Sequence, residues 1–246
     1  MKTMKNLKPF GRKQKKRFLE GIVVQSLTGD TIMVNNLWEN NTVILKVLRR
    51  FGCPLCRYES RLLSDLKPYF DELNVKLIGI GFEEVGLQEF IDGKYWDWDL
   101  YLDTDRAVHK ALGLTKMSIV QGLSDLLTFA TRTAVKAANS IGISGDIYGD
   151  GFQLGGTFIV GPGNTGLLYE YRQTSSAVFP SIKEMFKICG GDPSIIDEVS
   201  PQECLFYTES IAPKSVANTE ASSKKSYRTA KSGDDDSDDS DYLSAS

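Results

Sequence analysis

The stretch from Val43 to Arg57 constrains this chain more than any other: an apolar run ends, Cys53 and Cys56 follow at CxxC spacing around Pro54, and an amphipathic stretch begins. Val43 to Phe51 is predicted as a strand, and its near-continuous apolar start asks for cover on both faces, hence a central place in a sheet. Pro54 suits the first position of a helix, where its missing N–H is no loss. Cys53 then falls at the N-cap, where backbone N–H groups and the positive end of the helix dipole favour thiolate over thiol. The cations Arg49, Arg50 and Arg57 push the same way, although strand alternation keeps Arg49 and Arg50 from both facing the sulfur. Cys56 lies one turn on, on the same face, close enough to close a disulfide. Cys53 is therefore the expected attacking sulfur and Cys56 the resolving one.

Two other readings of the pair stay open in the sequence. It could be half of a zinc site, with Cys189, Cys204 and His109 as the remaining candidates, although no second CxxC and no close His pair are present. The cysteines could also be small core residues, as free Cys often is. A strand-to-helix junction within an alternating α/β pattern favours redox chemistry over both.

The flanking sequence fits an alternating pattern. Ile22-Val23-Val24 and Thr31 to Val34 are predicted strands around the turn Thr28-Gly29-Asp30. Leu62, Leu66, Phe70 and Leu73 recur at helical spacing, with Pro68 expected to kink that helix rather than end it. Val75 to Gly81 is the next parallel strand by a right-handed crossover. Leu87 to Ile91 and Arg106 to Leu112 read as short helices around the strand Leu100-Tyr101-Leu102, and the lone His109 is expected at the surface or as a cap. Ile119 to Ala138 is an amphipathic helix or two, expected either to cover the sheet or to wall a pocket for an apolar ligand. Thr157 to Val160 and Leu167 to Tyr171 form a hairpin, and Pro180 opens a last helix ended by Gly190-Gly191. The glycines between Gly142 and Gly156 lack the spacing of a dinucleotide fingerprint.

Outside this core the charge is segregated. Lys2, Lys5, Lys8, Arg12, Lys13, Lys15, Lys16 and Arg17 have no acid among them, while Asp234 to Asp241 is an acidic run, so a net charge of −3 conceals two opposite ends. Residues 1–20 are expected as a basic unfolded tail with an anionic partner among its options, 21–205 as the folded domain, and 206–246 as a disordered Ser/Lys/Asp-rich tail. No apolar run reaches the length of a membrane span and the first residues lack the apolar core of a signal peptide, so a cytoplasmic location is expected.

The order of elements is thioredoxin-like: α/β, three layers, a central mixed sheet and a helical insertion before the C-terminal hairpin. The residues go further. Leu37-Trp38, Leu48 to Cys53, Cys56-Arg57, the run Gly86 to Gly93, Leu100 to Asp103, Leu112-Gly113 and the stretch Gly145 to Gly156 resemble the peroxiredoxin-like 2 family across roughly residues 22–190. The segment Gly86-Leu87-Gln88-Glu89-Phe90-Ile91-Asp92-Gly93 is similar to its prostamide/prostaglandin F synthase branch rather than to the redox-regulatory sister branch. The resemblance implies reduction of a lipid endoperoxide, prostaglandin H or its ethanolamide, to the F-type diol. It implies Cys53 and Cys56 as the catalytic pair and Arg50 and Arg57 as stabilisers of thiolate and alkoxide. It further implies no tightly bound cofactor and no metal, with NADPH as the distant electron source through a thioredoxin-type reductant. Two departures stand out. Arg50 occupies the third position before Cys53, where a typical peroxiredoxin has threonine, and Gly155-Gly156 precede Thr157, where thioredoxin has a cis-proline. The glycine pair is expected to leave room beside the sulfur for a bulky substrate. Reduction of lipid or alkyl hydroperoxides, and a non-catalytic redox-sensitive interaction role, are the alternatives.

Overall fold

The computed structural model describes residues 18–199, so the basic segment before them and the acidic segment after them, with Cys204, lie outside the described residues. Alternating β-branched and apolar residues build a seven-stranded sheet in the order β2-β1-β5-β4-β3-β6-β7. Its strands are β1 (Val23–Ser26), β2 (Thr31–Met33), β3 (Thr42–Val47), β4 (Val75–Gly81), β5 (Asp99–Leu102), β6 (Gly156–Gly161) and β7 (Gly166–Arg172). β3, β4 and β5 run parallel, and the remaining pairings are antiparallel. This is a thioredoxin-like mixed α/β fold, as the order of elements implied.

The two-residue period of the strands sorts the core into two layers. Ile44, Leu77 and Ile159 point to one side, where they meet Leu62, Leu63, Leu66, Phe70, Met185 and Phe186. Those residues come from the helices α1 (Pro54–Asp65), α2 (Lys67–Glu72) and α7 (Ile182–Ile188), with Leu66 at the junction of the first two. Val43, Leu45, Val47, Ile78, Ile80 and Phe158 point to the other, against Trp38, Val108 and Leu112. With both faces covered, β3 is buried almost throughout, which explains why it is apolar apart from Thr42 and Lys46.

Three expectations need correction. β3 ends at Val47 rather than at Phe51: Leu48 still donates its N–H to Ile80 (2.8 Å), but the chain then turns. The helix after the cysteines is divided, not kinked, because Leu66 leaves helical geometry (φ −93°, ψ 6°) and α2 starts afresh with Pro68 in its first turn, where a proline needs no N–H. The apolar period survives the break, so Leu62, Leu66 and Phe70 still share one face. His109 is buried rather than exposed, in α4 (Ala107–Ala111). Its Nδ1 lies 2.8 Å from Asp103 Oδ2, and its ring packs edge-on against Phe82. Asp103 is the cap of that helix, accepting from the N–H groups of Ala107, Val108 and His109.

The remaining helices are α3 (Leu87–Asp92), α5 (Ile119–Leu127), α6 (Phe129–Ser140) and α8 (Pro193–Val199), the last not anticipated from sequence. α5 and α6 are the helical insertion. No helix among the described residues is long and apolar enough to cross a membrane.

Candidate active site

Cys53 is the N-cap of α1, with extended backbone (φ −73°, ψ 123°), and Pro54 occupies the first helical turn as its fixed φ predicts. Cys53 and Cys56 form no disulfide and are buried, packed with Leu55, Ala134 of α6, Ala177 and Phe179. The two sulfurs titrate in opposite directions. A hydrogen bond donated by the Cys56 thiol pulls Cys53 well below the ordinary thiol range against the cost of burial, aided by Arg49, by the Cys56 N–H and by Arg50. The same bond, together with burial and the nearby anion, pushes Cys56 well above that range. Cys189 shows what burial does without such partners: its thiol is pushed up to about 12. The pull on Cys53 is thus specific to its setting.

Because the chain turns after Leu48, Arg49 and Arg50 are freed from strand alternation, and both line one cavity with Cys53. Arg49 is the guanidinium at the sulfur, with Nη1 at 3.6 Å from Cys53 Sγ. Its Nη2 donates to the Gly151 carbonyl (2.8 Å) and its Nε to that of Gln153 (3.3 Å). Arg50 donates to the Asp146 carbonyl (2.5 Å). Arg57 is put to another use: it does not line the cavity, and its Nε and Nη1 donate to the carbonyls of Phe51 (2.8 Å) and Ser144 (2.9 Å). It braces the turn that carries the cysteines against the glycine-rich loop.

That loop passes close over the turn. Asp146 donates its N–H to Gly52 O (2.8 Å), and a Cβ at Gly145 would collide with Gly52 O and with Pro54. Gly155-Gly156 does not leave room for substrate: a Cβ at Gly155 would strike the Val47 carbonyl and one at Gly156 that of Tyr171, so these glycines permit close strand packing instead. Neither lines the cavity.

Behind the cysteines lies a charge pair that sequence reasoning missed. Lys46 of β3 and Glu59 of α1 form an ion pair, with side chains 2% and 4% exposed. Lys46 also reaches Thr157 Oγ1 (3.5 Å). Burial raises the Glu59 pKa against the pull of Lys46. The signal was available: a lone lysine inside the run Val43-Ile44-Leu45-Lys46-Val47-Leu48 must find a buried partner or be expelled.

The cavity, of about 450 Å³, runs from Cys53 under the inner side of α5, with Ile119, Leu123, Leu126, Val135 and Phe152 as its apolar walls. Of the two roles open to Ile119–Ala138, the pocket wall is the one that α5 takes. Asp125 turns inward from that helix, accepting from Ser175 Oγ, from Ser176 Oγ and from the Ser176 N–H (2.7 Å). Among the described residues no cluster of His, Cys, Asp and Glu is arranged to hold a metal ion.

Comparison with known proteins supplies the kinship. The chain is 35% identical over 181 residues to the prostamide/prostaglandin F synthase of Aquarana catesbeiana, covering 74% of this chain and 90% of that one. With the bovine (Bos taurus) prostamide/prostaglandin F synthase it shares 34% over 182 residues, covering 74% and 89%. The chain belongs to the prostamide/prostaglandin F synthase family. Residues 62–175 also match the AhpC/TSA antioxidant enzyme family, a match that begins beyond both cysteines. Among solved structures, a mutant of peroxiredoxin 6 from Arenicola marina aligns at a TM-score of 0.51 and 14% identity, over 71% of this chain and 70% of that one, a likeness of fold. Membership makes the chain a thiol-dependent oxidoreductase of peroxiredoxin-like fold.

Proposed function

We propose that this oxidoreductase reduces a lipid endoperoxide of the prostaglandin H type to the corresponding diol. The observation that carries the reading is Cys53 on the wall of a mainly apolar cavity, its thiol pKa lowered by the hydrogen bond that the Cys56 thiol donates and by Arg49. The names of the relatives point the same way. The Cys53 thiolate attacks one oxygen of the O–O bond; an S–O bond forms, the O–O bond breaks, and the released alkoxide takes the proton of the Cys56 thiol. Arg49 and Arg50, both on the cavity wall, oppose the charge that develops there. The Cys56 thiolate then attacks the Cys53 sulfur, forming the disulfide and expelling the second alkoxide, which takes a proton from water. Peroxide and dithiol have become diol and disulfide. A thioredoxin-type dithiol, itself reduced at the expense of NADPH, returns the pair to its starting state.

The match to an antioxidant family favours a second reading on the same sulfur, reduction of lipid hydroperoxides. The two are separated by NADPH consumption with thioredoxin and thioredoxin reductase, using prostaglandin H or a fatty-acid hydroperoxide as the only oxidant. Faster turnover of the endoperoxide with formation of the F-type diol supports the first reading. Faster turnover of the hydroperoxide replaces it with the second.

A further inference from the structure

The outer face of α5 is apolar and open. Val120, Leu127 and Phe129 are 73%, 67% and 86% exposed, and Ile147 across the cavity mouth is 88% exposed. A contiguous patch of large apolar side chains on a folded domain marks a surface that meets another apolar phase. Charge identifies which one. Between Lys116 and Gly145 the sequence holds one acidic residue, Asp125, and the fold turns it inward onto Ser175 and Ser176. What this insertion presents outward is therefore apolar residues bordered by the exposed cations Arg132 and Lys136, with Lys116 nearby but paired with Asp150 (2.6 Å), on a chain whose net charge is −3.

We infer that α5 and the start of α6 form a docking surface for an anionic lipid bilayer, in which α5 lies along the interface with Val120, Leu127 and Phe129 among the acyl chains. A short helix with a charge-free apolar face flanked by lysine and arginine is suited to that position, since the long cationic side chains reach the headgroups while the apolar face is buried. A second copy of the chain fits less well: a self-complementary contact would bring two sets of Arg132 and Lys136 together with no exposed acid of the insertion to oppose them. The acidic segment Asp234 to Asp241 matches the cations but brings only Tyr242 and Leu243, directly after it, to set against the large apolar residues of the patch. The mouth of the cavity lies in the same surface, because Ile119, Leu123 and Leu126 both line the cavity and are exposed. A docked molecule would thus open its cavity toward the bilayer. The inference goes beyond the proposed reaction and does not depend on it.

The test is co-sedimentation of the full chain with phosphatidylcholine vesicles, with and without phosphatidylserine, in the absence of any peroxide. Binding to the anionic vesicles is expected. The double variant Val120→Glu/Phe129→Glu, neither residue lining the cavity, should lower the partition coefficient more than about tenfold. Reversal of Arg132→Glu and Lys136→Glu should lower it about fivefold per site, on anionic vesicles only. Unchanged circular dichroism and melting temperature show that the variants are folded. No binding by the wild-type chain overturns the inference. So does equal binding by the variants, which would assign the lipid contact to the basic first residues, and so does a dimer in solution that the Val120→Glu/Phe129→Glu variant dissociates.

Discussion

At the inner end of the cavity Arg49 is 5% exposed and is fixed by two backbone carbonyls and the Cys53 sulfur, while Arg57 ties the same turn to the glycine-rich loop. Along the outer wall Leu123 is 60% exposed, and α5 is anchored by the carboxylate of Asp125 on the serines that precede α7. The inner end is over-determined, so the sulfur has one setting whatever molecule arrives. The outer wall has few constraints, and in the proposed reaction selectivity and access fall to it. An interior that sets reactivity and a rim that sets admission can be changed independently, because they share few partners.

The largest effect expected is at the sulfur itself: Cys53→Ser should lower peroxide turnover by at least about 10³-fold with the melting temperature nearly unchanged. Retained turnover would remove the inner end from the chemistry altogether. Next comes the charge pair behind it. Lys46→Met leaves Glu59 buried without its cation and should cost about 3 kcal/mol of stability in denaturant unfolding, whereas Lys46→Met/Glu59→Gln together should recover part of that loss. Equal losses in the single and double variants would mean that packing, not charge, decides there.

A third measurement sharpens the contrast between the two sulfurs. With its pKa depressed, Cys53 keeps its anion to lower pH than an ordinary thiol, so its alkylation by iodoacetamide should inflect at lower pH than that of a free cysteine. Cys56→Ala removes the donated hydrogen bond and Arg49→Met removes the cation. Each should shift the inflection to higher pH and lower the alkylation rate at neutral pH about tenfold. An unmoved inflection would assign the anion to the helix terminus alone. The smallest effect is expected at the rim. Asp125→Asn leaves a Ser176 donor without its acceptor and should raise KM for a lipid peroxide about fivefold, while turnover of a small water-soluble peroxide changes little. Hydrogen exchange in α5 should quicken in the same variant, and equal slowing with both peroxides would show that rim and interior are not separable.

The CxxC junction, the parallel crossover, the hairpin and the lowered thiol pKa of Cys53 were legible because each rests on local chemistry. Strand alternation, proline at the first helical turn and a cysteine at the cap act within a few residues of one another. Arg49 was harder to assign, because the prediction carried β3 through Phe51 and alternation then forbade Arg49 and Arg50 from sharing a side. The break at Leu66, the burial of His109 on Asp103 and the tight packing of Gly155-Gly156 likewise depended on contacts with segments distant in the chain.

Local sequence, then, determined that one cysteine would cap the helix that follows a central strand, with a second cysteine one turn away, because helix geometry and the peptide dipole require nothing beyond neighbouring residues. Tertiary structure alone decided which arginine meets that sulfur, which aspartate anchors the roof and which apolar residues stay open to the outside. Those outcomes depend on how the segments from Leu114 to Gly156 and from Gln173 to Ser176 return to the turn. Residues about a hundred positions apart meet there, and no local periodicity encodes the distance between them.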